Sequence, residues 1–270
     1  MCELFAMSSD LPAGVDFCLG EFARHGGLTG PHKDGWGIAN YAADGAVRLY
    51  KEAEPASGSE WVEFIETHRM RSTIVLSHIR RATQGMRSLK NTQPFRRELG
   101  GSCHVFAHNG DLPEIHNNPA FPLGFHRPLG ETDSEHAFCS LLGRLENLWL
   151  GSPEPPGLPE RIAAVAGFAG SLARLGMANF IYSDGDAVFA HGNRRRENVA
   201  DPPRPPGLHL LRRPAGDTPS DFSVGGLQIS SGIGRREMAL VASVPLTGED
   251  WRPLAEGELV VMQAGRVVER

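Results

Sequence analysis

Three times this sequence sets a glycine turn between two strand-like runs, and those turns constrain the fold more than any other feature. Asp44-Gly45 divides GIANYAADGAVRLYKE, Asp184-Gly185 divides NFIYSDGDAVFAHG, and Gly265 divides ELVVMQAGRVV. An Asp-Gly pair between apolar-rich runs is a strong hairpin signal, because the tight turn needs φ > 0. Hairpins join antiparallel strands, so antiparallel sheets are expected. TIVLSHI and CHVFAHN add two further strands.

Helical segments interrupt the strands. SGSEWVEFIETHRMR starts at a serine cap and carries Trp61, Phe64 and Ile65 at helical spacing. ETDSEHAFCSLLGRLENLWL opens with Thr132-x-x-Glu135, a capping box, and aligns Ala137, Leu141, Leu142 and Leu145 on one face. LPERIAAVAGFAGSLARLG has Pro159 near its start and Gly176 past its end. Helices mixed with antiparallel hairpins predict an α+β layered domain. No internal repeat is present. The Pro- and Arg-rich stretch near 193–222 reads as a long surface loop within one domain spanning 1–270.

Composition narrows the function classes. A net charge of −5 gives no nucleic-acid footprint. No apolar run approaches the ~20 residues of a membrane span, and no secretory leader pattern opens the chain. The four cysteines, Cys2, Cys18, Cys103 and Cys139, form neither a disulfide framework nor a zinc-knuckle spacing. The expected setting is the reducing cytoplasm. His104 and His108 share a strand face with Phe106 between them, half of a metal site with no matching ligand spacing. Neither a metal nor another cofactor is expected.

Five places carry polar residues that packing alone explains poorly. Cys2 stands behind Met1, where a small residue permits methionine removal. An N-terminal nucleophile can use its own α-amine as general base; the amine titrates near ~7.7–8.0 and the thiol near ~8.5, a nearly balanced exchange. Arg80, in SHIRRATQG, has the planar fork that grips a carboxylate. Asn109-Gly110, in FAHNGDL, reads either as a turn or as an oxyanion hole in which an amide and a glycine N–H meet one developing charge. Asp133, in GETDSEHAF, reads as part of a helix cap or as a partner for an ammonium group. GPHKDGWGIA is a tight glycine-rich approach to a strand and not a phosphate loop. No G-x-S-x-G or H-E-x-x-H occurs.

In order, MC, DGWGIA, SHIRRAT, NTQPF, FAHNG and ETDSE resemble the class II glutamine amidotransferases, which are N-terminal-nucleophile (Ntn) hydrolases. VASVPLTGEDW looks like the later part of the same domain, so the resemblance covers nearly the whole chain. It resembles the small, stand-alone bacterial YafJ-type. It implies a four-layer α-β-β-α sandwich of two antiparallel sheets, Ntn-hydrolase-like, and cleavage of the γ-amide of glutamine through a thioester on Cys2. Asn109 and Gly110 would hold the oxyanion, Arg80 and Thr83 the substrate α-carboxylate, and Asp133 its α-ammonium. A separate synthase or acceptor subunit is an implied partner; nucleic acid and membrane are not. Two departures stand out: Arg81 replaces an aromatic residue common after the site arginine, and RHGGLTGPHK replaces His-Arg-Gly before the DGWG loop. An added cation there would suit a larger γ-glutamyl compound with another carboxylate. The competing class is a non-catalytic γ-glutamyl-binding or scaffold subunit that keeps Met1.

Overall fold

The computed structural model describes residues 2–17, 32–68, 71–82, 85–196, 201–215, 221–224, 227–230 and 237–268. In chain order the strands are β1 (Glu3–Phe17), β2 (Trp36–Tyr41), β3 (Val47–Glu52), β4 (Arg71–Ile79), β5 (Phe95–Leu99), β6 (Ser102–Asp111), β7 (Met177–Ser183), β8 (Ala187–Gly192), β9 (His209–Arg213), β10 (Asp221–Val224), β11 (Leu227–Ser230), β12 (Met238–Ala242), β13 (Arg252–Pro253), β14 (Glu258–Gln263) and β15 (Arg266–Val267). The described helices are α1 (Glu60–His68), α2 (Asp133–Leu150) and α3 (Leu158–Leu175). None of them is long and apolar enough to cross a membrane.

The strands form two antiparallel sheets. The larger runs β13-β9-β12-β1-β4-β2-β3, with β10 and β11 joining beside β1; the smaller runs β15-β14-β8-β7-β6-β5. The three glycine turns join β2 to β3, β7 to β8 and β14 to β15. Gly45 and Gly185 take φ of +82° and +95°, the left-handed region that the sequence signal anticipates.

Alternation along the strands sorts the core into layers. Leu4, Ala6 and Leu76 of the larger sheet meet Val105, Ala107, Ile181 and Ala190 of the smaller one, forming the inter-sheet core. The opposite face of the larger sheet, with Phe5, Met7, Trp36 and Ile38, packs on α1. The outer face of the smaller sheet, with Phe106, Phe180 and Phe189, packs on α2 and α3. The order is therefore α-β-β-α, as expected.

Two expectations need correction. On α1 the buried face is Val62 and Ile65, while Trp61 and Phe64 are 50% and 41% exposed. Those two rings instead meet edge to face along the surface, with Tyr50 tilted against Trp61 and His68 stacked on Phe64. The proline- and arginine-rich stretch is not all loop: His209–Arg213 is β9, paired with β12 inside the larger sheet. Its Leu210 and Leu211 are buried on opposite faces, and proline density on either side masks that alternation.

The Asp184-Gly185 turn is fastened from two directions. Asp184 accepts the Asp186 and Ala187 N–H groups, and its second oxygen accepts Arg161 Nη1 of α3 at 2.8 Å. Arg161 and Asp184 are both buried, whereas the side chain of Asp186, which takes Arg161 Nη2, is 54% exposed. Asp184→Ala should therefore cost about 3 kcal/mol, because it removes the buried partner of the guanidinium and the acceptor of two turn N–H groups, leaving only the exposed Asp186 to pair Arg161. Asp186→Ala should cost less than about 1 kcal/mol. Urea unfolding of the two variants checks the contrast, and equal losses would contradict it.

Candidate active site

The inter-sheet core changes from apolar to polar at one end. Following Leu4 and Ala6 back along β1 leads to Cys2; following Val105 and Ala107 along β6 leads to Asn109; following Ile74 and Leu76 along β4 leads to His78 and then Arg80. Strand alternation thus sends four polar side chains to the same edge of one interface. The β1–β4 register brings two of them opposite each other, since Cys2 and Arg80 stand one residue beyond the last pair, Glu3 with Ile79.

Cys2 is half-buried. Its Sγ donates to the Arg81 carbonyl at 3.3 Å and accepts the Arg81 N–H at 3.2 Å. Burial pushes the thiol above its ordinary value, against the Arg81 N–H and the Arg80 charge, which pull it down. Asn109 is buried and donates Nδ2–H to the Cys2 carbonyl at 2.6 Å. An amide nitrogen carries two donors, so one N–H remains beyond that bond. Gly110 follows, and a Cβ there would meet the Met177 carbonyl oxygen at 1.7 Å, so only glycine fits against β7.

Arg80 is 3% exposed. Its guanidinium donates to the carbonyls of Asp34, Gly85 and Met86 at 3.2–3.4 Å. Those contacts fix the plane of the fork. The DGWG loop contributes twice more: Asp34 accepts the Ala82 N–H at 2.8 Å, and the Gly35 carbonyl accepts the Arg80 N–H at 2.8 Å.

Asp133 is the first residue of α2, and Thr132 is its N-cap, accepting the Glu135 N–H at 3.2 Å. The reciprocal half of the expected capping box goes elsewhere, since Glu135 takes the Gly130 N–H and Arg97. Asp133 Oδ2 accepts the Leu112 N–H at 2.9 Å, which ties it to the end of β6 just past Gly110. Its other oxygen accepts from Ser134. Thr83, Cys18 and most of the GGLTGPHK segment lie outside the described residues.

The structure adds supports that the sequence reading left without a role. Gln93, from NTQPF, accepts the His108 N–H at 2.6 Å and donates to the His108 carbonyl at 3.1 Å, clamping β6 one residue before Asn109. His108 points to the helix side of the sheet, where its ring meets Ser134 Oγ and the Met177 carbonyl. Asn179 on β7 donates to the Asn109 carbonyl at 3.0 Å. Gln93, Asp34 and Ser134 all stand in motifs quoted above; Asn179 carries no sequence signal. His104 bonds Tyr182 and Leu99. No cluster of three metal-ligating side chains occurs among the described residues.

His78 is fully buried, and neither ring nitrogen has a hydrogen-bond partner among the described residues. Burial, with Arg80 beside it, lowers its pKa from 6.5 to about 3. Burial lowers His104 from 6.5 to about 4. With folded-state values below the unfolded one, the unfolded chain binds protons first as pH falls. Stability is therefore lost below pH 6.5, down to about pH 4 for His104 and about pH 3 for His78, by roughly 2 kcal/mol for each ring at pH 5. Urea unfolding at pH 7 and pH 5 should show the loss, and His78→Gln should reduce it by the share of one ring, roughly 2 kcal/mol. An unchanged pH dependence in that variant would contradict the assignment.

The sequence matches the family model described as glutamine amidotransferases class-II over residues 1–270. It is 36% identical over 272 residues, covering 96% of each chain, to the Escherichia coli K12 protein named "Putative glutamine amidotransferase YafJ". It is similar to the crystal structure of a predicted glutamine amidotransferase from Pseudomonas aeruginosa, with a TM-score of 0.74 and 32% identity over all of both chains. A glutamine phosphoribosylpyrophosphate amidotransferase from B. subtilis shares the fold, with a TM-score of 0.56 and 15% identity over 99% of this chain and 48% of that one.

Proposed function

This chain belongs to the class II glutamine amidotransferases, and from that premise we propose that it hydrolyses the γ-amide of glutamine, or of a related γ-glutamyl compound, through a thioester on Cys2. The observation that carries the reading is the Asn109 amide held on the Cys2 carbonyl at 2.6 Å, one residue before Gly110. It supports reading the second Asn109 N–H and the Gly110 N–H as an oxyanion donor pair next to Cys2.

The thiol needs a base, because burial holds it protonated. His78 is too weak a base, with a pKa of about 3, and His108 lies on the other side of its sheet, committed to Ser134 and Met177. The α-amine of Cys2, freed by removal of Met1, fits the task. It takes the thiol proton while sulfur bonds the amide carbon. The second Asn109 N–H and the Gly110 N–H receive the oxyanion. The carbon–nitrogen bond then breaks, the amine returns the proton to the departing ammonia, and water cleaves the thioester to glutamate. Arg80, with Thr83, takes the substrate α-carboxylate, and Asp133 takes its α-ammonium. A separate synthase or acceptor subunit would receive the ammonia.

Intact mass and ammonia release test this together. The active protein should lack Met1, and a form that keeps it should release ammonia from glutamine at least 10²-fold more slowly, the scale on which general-base catalysis acts. Equal rates for the two forms would overturn the amine mechanism. A wholly unprocessed, inactive protein would favour the scaffold class.

A further inference from the structure

Two loops meet at the amino-acid end of the site. One follows Arg80 and offers its guanidinium the Gly85 and Met86 carbonyls. The other, residues 130–132, leads into Asp133 at the head of α2. Asn91, in NTQPF, stands between them and takes no part in the chemistry above.

The Asn91 side chain is fully buried. Its Nδ2 donates to the Met86 carbonyl at 2.9 Å and to the Glu131 carboxylate at 3.1 Å, and its Oδ1 accepts the Glu131 N–H at 2.9 Å. Those partners fix which way the amide faces, because a backbone carbonyl can only accept and a backbone N–H can only donate. The Met86 carbonyl that Asn91 holds is the one that receives Arg80 Nη1. Glu131 lies two residues before Asp133. One side chain therefore joins the loop that supports the guanidinium to the loop that carries the carboxylate.

The backbone is shaped to admit that side chain. A Cβ on Gly85 would stand 3.0 Å from Asn91 Nδ2, and one on Gly130 would collide with Asn91 Oδ1. The carboxamide thus sits between two glycines, one from each loop. Asn91 ends a single 3₁₀ turn, Leu89–Asn91, and Gln93, two residues on, clamps β6 beside Asn109.

We infer that Asn91 is a positioning residue that sets the spacing between the Arg80 guanidinium and the Asp133 carboxylate, so that the site selects an amino acid with both a free α-carboxylate and a free α-ammonium. The inference rests on the glutamine reading of the site. Arg80 and Asp133 each meet one end of the zwitterion; Asn91 meets neither and acts on both, as a support holds a binding group within a fraction of an ångström of its productive place.

The test measures kcat/KM of the full chain for glutamine, its α-methyl ester and its N-acetyl derivative. Wild type should prefer glutamine to each. Arg80→Gln should lose the preference over the ester alone, and Asp133→Asn the preference over the N-acetyl compound alone. Asn91→Ala should cut both preferences by about tenfold, the scale of one charge-assisted contact. Its loss on glutamine should lie in KM with kcat little changed, as when binding shared by ground state and transition state is removed. Gly130→Ala removes no polar group but crowds the carboxamide, so it should reproduce the pattern, and it carries the test if Asn91→Ala does not fold. A uniform loss on all three compounds, with both preferences kept, would overturn the inference and leave the glutamine reading intact. A wild type indifferent to the three compounds would overturn both.

Discussion

Cys2→Ala should lower glutamine hydrolysis by on the order of 10⁶-fold, the loss seen when a covalent nucleophile is removed and only binding and oxyanion contacts remain. The fold should survive, because the Sγ contacts are two single hydrogen bonds to one backbone residue at a half-buried position. A glutamine-like electrophile should label the wild-type chain at Cys2 alone. Cys139 is buried, and burial raises its pKa to about 11, so it presents little thiolate. Circular dichroism, ammonia release and peptide mapping of the label check the three parts. Residual activity within tenfold of wild type, or label spread across the cysteines, would count against a Cys2 thioester.

Asn109→Ala should lower kcat by on the order of 10²–10³, the usual loss for one oxyanion donor. KM should change little, since the charge develops only in the transition state. The same substitution also removes the bond to the Cys2 carbonyl, so a stability loss of about 1 kcal/mol is expected alongside. Steady-state kinetics separates the roles. A change confined to KM would make Asn109 a binding residue.

The sandwich was legible in the sequence because hairpin turns and strand alternation are local signals. Asp44-Gly45 and Asp184-Gly185 announce φ > 0 whatever surrounds them. The face of α1 was not, because Trp61 and Phe64 repeat at the same helical spacing as Val62 and Ile65. Only contact with Phe5 and Trp36 decides which pair is inside. β9 was hidden because its edge is defined by a distant partner, β12, while its own flanks look like loop. At the site, Cys2, Arg80, Asn109 and Asp133 were nameable from ordered motifs. Their supports were less so: Gln93 acts on backbone 15 residues away and Asn179 on backbone 70 residues away. Hydrogen bonds of that span leave no periodicity.

The position of β1 has a consequence for how such a chain is made. β1 lies between β4 and β12, whose partners for it come from residues 71–79 and 238–242. Synthesis supplies the first neighbour early and the second only when the chain is almost complete. Domains generally acquire structure as their residues emerge, at about 5–20 residues per second. For the time needed to make the intervening residues, the head of β1 keeps one edge unpaired, and Ser243, which bonds Leu4 on that side, does not yet exist. An aminopeptidase travelling with the ribosome would meet an open end throughout that interval. On the proposed mechanism, removal of Met1 and closure of the larger sheet would be separated in time by the order of the strands.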